Sequence, residues 1–154
     1  MRRRRIFVWI GVVLILALIP LVSVQAGKGY DLSLDWHEVV PSGSGNPNMF
    51  GDGTIEVNAG KGRVCYTMRI FIYPSPPDWP PTGVAIHKAP AGSNGPQVVD
   101  LQPNFGAFGE PNISGCVNID GDLAHDIQRR PSQYYLLVSD STHPQGSVRD
   151  QLGK

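Results

Sequence analysis

Residues 55–72 read Ile55-Glu56-Val57-Asn58-Ala59-Gly60-Lys61-Gly62-Arg63-Val64-Cys65-Tyr66-Thr67-Met68-Arg69-Ile70-Phe71-Ile72. Ile55, Val57 and Ala59 alternate with Glu56 and Asn58. Beyond Gly60-Lys61-Gly62, the apolar positions Val64, Tyr66, Met68, Ile70 and Ile72 alternate with Cys65, Thr67 and Arg69. Side chains of a strand point to opposite faces in turn, so this period of two describes two strands that each bury one face. Joined by a glycine turn, they read as a β-hairpin.

The same period recurs outward from the hairpin. Upstream, Tyr30, Leu32, Leu34 and Trp36 alternate with Asp31, Ser33 and Asp35. Between that strand and the hairpin, residues 41–53 are dominated by Gly, Ser, Asn and Pro, which predicts a long surface loop. Downstream, residues 74–81 hold five prolines in eight positions, which cannot donate to a ladder and predict a connection or an edge. Val84 and Ile86, then Val98, Val99 and Leu101, mark two short strands, and Val117 and Ile119 mark another.

At residues 122–130 the period changes. Leu123 and Ile127 are four apart, Asp122 can cap, Arg129 and Arg130 suit a helix C-terminus, and Pro131 ends the segment, which predicts one short helix. Tyr134 to Val138 is a continuous apolar run expected of a central strand, and Ser147 to Leu152 supplies the last strand after a Pro144-Gln145-Gly146 turn. A count of about eight short strands separated by turns predicts an all-β fold, an antiparallel β-sandwich or a Greek-key barrel.

Two cysteines, Cys65 and Cys116, exclude a Cys-rich zinc module and a multi-bridge scaffold. Both lie on the polar side of their strands, so both thiols point outward. Neighbouring strands would let them bridge, and the chain-entropy account values such a loop of about 50 residues at roughly 4 kcal/mol. Two buried thiols are the alternative.

The N-terminus has the layout of a signal peptide. Arg2 to Arg5 are basic, residues 6–24 are almost unbrokenly apolar, and Val24-Gln25-Ala26 resembles a cleavage site. Pro20 breaks the run near its outer end and favours processing. The run also approaches the roughly 20 residues that span a bilayer, so an uncleaved anchor is the competing reading. Either way the arginines stay inside and residues 27–154, a single domain, lie outside, secreted or tethered to the membrane by residues 6–24. Without the four arginines, nine basic residues face thirteen acidic ones, a net charge of −4 that offers no footprint for nucleic acid.

Several phrases then line up: Leu32-Ser33-Leu34 through Glu38-Val39-Val40-Pro41, Gly83-Val84-Ala85-Ile86-His87-Lys88-Ala89 with Gly92-Ser93-Asn94-Gly95-Pro96, Pro131 to Val138, and Pro144-Gln145-Gly146-Ser147-Val148-Arg149-Asp150-Gln151-Leu152. Together they resemble the CHRD domain, a family named from chordin, over nearly all of residues 30–152. The resemblance implies an immunoglobulin-like sandwich with some likeness to copper/zinc superoxide dismutase, and no established enzymatic activity. Growth-factor binding in chordin is tied to separate Cys-rich repeats, which this chain lacks. Members often read His-Ile-His where this chain has Ala85-Ile86-His87, often carry a histidine where it has Ser139, and usually have glycine where it has Asp150.

Candidate sites are few. His87, with Asp140 or His143, is a weak candidate for a metal site; the competing reading is a strand histidine bonded to loop backbone. Asn118, Asp120, Asp122 and Asp126 carry oxygen ligands suited to calcium but lack an EF-hand pattern, and a turn with a helix cap is the simpler reading. No Gly-x-Ser-x-Gly elbow is present, and no cofactor is expected. Arg149 could clamp a carboxylate ligand or form a fixed internal pair, and Trp79, set among prolines, could be an exposed contact. The expectation is a non-catalytic binding or structural module that meets a protein or glycan ligand outside the cell. A metal-binding redox protein and a membrane-tethered surface protein are the alternatives.

Overall fold

The computed structural model describes residues 26–74, 81–101, 103, 105 and 112–154. The leader, nearly all of the proline-rich connection and Trp79 lie outside these residues. Strands β1 (Lys28–Leu34), β2 (Met49–Asn58), β3 (Arg63–Ile72) and β6 (Asn112–Asn118) form one antiparallel sheet in the order β1-β2-β3-β6. Strands β4 (Gly83–Lys88), β5 (Gln97–Asp100), β7 (Tyr134–Ser139) and β8 (Val148–Gln151) form the second, in the order β5-β4-β7-β8. Helix α1 (Gly121–Arg129) packs against the Ala59–Lys61 turn and the ends of β2 and β3. The fold is the expected all-β sandwich with one helix.

Alternation sets the core. Tyr30, Leu32 and Leu34 from β1, Ile55 and Val57 from β2, and Val64, Tyr66, Met68 and Ile70 from β3 point inward. They meet Val84, Ile86, Leu136, Val138 and Val148 of the opposite sheet in one cluster. At the hairpin turn Asn58 accepts from Lys61 N at 3.0 Å, and Gly62 takes a left-handed conformation, φ 54°.

Two expectations need correction. The loop over residues 41–53 ends earlier, because β2 begins at Met49 and pairs with β1 on one side and β3 on the other. A Cβ on Gly51 would lie 2.5 Å from Arg69 O, and one on Gly53 would lie 2.4 Å from Thr67 O. These glycines let a middle strand sit closely between its neighbours. The helix is capped by Asp120 instead of Asp122: its carboxylate accepts from Asp122 N at 2.9 Å and Leu123 N at 3.1 Å, and Ala124 and Ile127 turn into the core.

The sandwich closes along one side. Edge strand β8 meets the end of β1 through reciprocal bonds between Asp35 and Arg149, each 3.1 Å. All four residues of β8 are buried, so both of its faces are covered.

Candidate functional site

Cys65 and Cys116 are direct cross-strand partners on β3 and β6, on the outer face, and are joined as a disulfide. The parity argument is borne out: both sulfurs share one surface.

The structure brings two of the three metal candidates together, with His143 Nδ1 3.3 Å from Asp140 Oδ1, and leaves His87 apart from them. His87 opposes Tyr135, whereas Asp140 lies five residues further along, about 16 Å away at the usual strand rise. His87 Nδ1 donates to Gly95 O at 3.0 Å, the backbone bond of the competing reading. Ala85 and Ser139 supply no imidazole. Among the described residues no group of three or more His, Cys, Asp or Glu side chains is placed to hold an ion, so these side chains do not fit a histidine-built metal centre.

Asp140 is fully buried and serves as a clasp. One carboxylate oxygen accepts from Asn46 Nδ2 at 2.9 Å and Ser147 Oγ at 2.7 Å, and the other from Thr142 N, Thr142 Oγ1 and His143 N, each at 2.7 Å. Burial alone would raise its pKa, but the bonds from Thr142, Asn46, Ser147 and His143 hold the carboxyl well below its ordinary range.

Arg149 is only 1% exposed. Its guanidinium lies 3.5 Å over the Tyr135 ring and donates to Ser93 O at 2.9 Å, Pro90 O at 3.2 Å and Gln151 Oε1 at 3.1 Å. Gln151 Nε2 in turn donates to Ala89 O, Ser132 O and Tyr134 O. The expected internal partner of Arg149 is therefore carbonyl oxygen, not a carboxylate, and the side chain is committed to holding the 89–95 loop. Burial pushes its pKa down.

This network floors an open cleft of about 840 Å³ at the β8 side of the sandwich. His37, Glu38, Pro90, Gln133 and Lys154 stand on its walls. Asn94 Nδ2 donates to Val40 O at 2.9 Å, which ties the two flanking loops together. At one end Lys154 Nζ lies 2.5 Å from both Glu38 Oε1 and Asp150 Oδ1. Asp150, inward-facing between Val148 and Leu152, accepts from Ser33 N of the other sheet at 2.6 Å. Burial pushes its pKa up against the opposing pull of Lys154.

The sequence did not point to Glu38, Tyr135, Gln151 or Lys154 as one site. Gln151 lay inside the terminal phrase, but its partners are distant in the chain. Among the described residues no helix is long and apolar enough to cross a membrane.

Fold and site together define a disulfide-stapled antiparallel β-sandwich whose polar groups hold loops around an open cleft. The family model described as the CHRD domain matches residues 30–152, and the chain belongs to that family. No curated protein and no solved structure matches it.

Proposed function

We propose that this chain is an exported, non-catalytic binding module, and that the cleft floored by Arg149 is where a protein or glycan ligand outside the cell makes contact. The carrying observation is the pre-organised floor: a buried guanidinium fixed by three hydrogen bonds and a ring face, with two tied loops above it. A cleft held this way loses little freedom on binding, which favours affinity. Two candidate polar groups are engaged within the fold, His87 with Gly95 O and Asp140 with five donors. The basic, apolar leader and the disulfide both fit an oxidising compartment.

The test uses fluorescently labelled protein of residues 27–154 and the isolated envelope fraction of the producing cells. The expected result is saturable binding that Ala91→Trp, placed on the exposed cleft wall, reduces at least tenfold without changing thermal stability. Absence of binding, or equal binding by the variant, would overturn the reading.

A further inference from the structure

The outer face of the β1-β2-β3-β6 sheet carries a second feature. Most of its outward positions on β2 and β3 are polar: Thr54 opposes Thr67, Glu56 opposes Cys65 and Asn58 opposes Arg63. At one end this pattern breaks. Phe50 and Phe71 are cross-strand partners with stacked rings, centroids 5.4 Å apart and planes inclined by 24°. Phe50 is 52% exposed. Tyr73 N donates to Asn48 O at 2.9 Å, so Tyr73 and Asn48 continue the register onto the same face, where Tyr73 is 79% exposed. On the other side of the phenylalanines, Arg69 forks onto Asp52 through Nε at 2.9 Å and Nη2 at 3.0 Å. The result is an exposed aromatic strip in which Phe50 stacks on Phe71, the Arg69 guanidinium lies 6.0 Å from the Phe71 ring centroid, and hydrogen-bonding groups stand at both ends.

We propose that this strip is a stacking platform for a neutral carbohydrate chain, an inference that deepens the binding reading above and adds a site distinct from the cleft. Aromatic faces are electron-rich and attract the positively polarised C–H edges of a sugar ring, while Asp52, Arg69, Asn48 and the Tyr73 hydroxyl stand where ring hydroxyls need partners. Arg69 and Asp52 already neutralise each other, so the strip offers no net charge to an ionic ligand. On the usual area of an aromatic side chain the exposed rings present roughly 300 Å², well below the approximately 800 Å² per partner of a stable protein interface. That area matches one or two sugar rings.

The test titrates protein of residues 27–154 with cellohexaose, chitohexaose and mannohexaose, and follows the ring resonances of Phe50, Phe71 and Tyr73. At least one of the three is expected to shift these resonances saturably. The Phe50→Ala/Tyr73→Ala double variant is expected to bind at least tenfold more weakly at unchanged thermal stability, and Ala91→Trp to bind normally. No shift with any of the three, tighter salt-sensitive binding of polygalacturonate, or unchanged affinity of the double variant overturns the platform. Envelope binding that depends on Ala91 and ignores Phe50 and Tyr73 would leave the cleft standing while the platform falls.

Discussion

Arg149 shows how a single buried cation can be structural without a carboxylate partner. Its donors meet fixed carbonyl dipoles and its plane lies on Tyr135, an arrangement that suits a planar fork and not an ammonium. Arg149→Lys is therefore expected to destabilise the protein by about 2–4 kcal/mol, since several buried acceptors lose their donors. Urea unfolding followed by Tyr and Trp fluorescence measures this, and a loss within error of zero would contradict the account. The two buried aspartates pull in opposite directions with pH. Asp140 ionises below its unfolded range, near pH 4, so its stabilisation is complete above that pH and is lost as pH falls through the folded value. Asp150 ionises above that range, so the stability it adds is present when protonated and is lost as pH rises through its folded value. Asp150→Asn should thus gain on the wild type between pH 3 and pH 7, whereas Asp140→Asn should fall further behind over the same interval. Melting temperatures at both pH values decide it.

At the scale of elements, alternation was the legible signal. The β3 assignment and the shared face of the two cysteines follow from apolar alternation alone, because burial of one face is a local property of a strand, and β7 follows from its unbroken apolar run. The start of β2 was hidden, since glycines at residues 51 and 53 look like loop residues unless the close flanking strands are known. Gly53→Ala is expected to cost about 1–3 kcal/mol by overpacking against Thr67 O, while Gly29→Ala, with nothing near its would-be Cβ, should change stability by less than about 0.5 kcal/mol. Chemical denaturation of the pair provides the contrast, and equal effects would contradict the packing argument. The same misreading of residues 41–53 concealed Phe50 as an exposed member of an aromatic strip. Helix α1 was legible in period but displaced in its cap, because Asp120 and Asp122 offer the same carboxylate and only backbone geometry chooses between them.

Across the whole molecule, the cleft depends on contacts far apart in sequence, which no local pattern reports. Ser33 meets Asp150, and Lys154 joins Glu38 to Asp150. The disulfide fixes edge strand β6 to β3 at a separation of 51 residues. A Cys65→Ser/Cys116→Ser variant should lose about 2–5 kcal/mol, read from its urea midpoint, and an unchanged midpoint would show that the bridge is dispensable. The disulfide fits the proposed export, because such bridges persist chiefly where the surroundings are oxidising. The intact mass of protein recovered from producing cells, compared before and after reduction, tests this most directly. The account predicts, outside the cytoplasm, the mass of residues 27–154 less two hydrogens that return on reduction. Full-length protein retained in the cytoplasm, with both cysteines alkylated without any reductant, would contradict it.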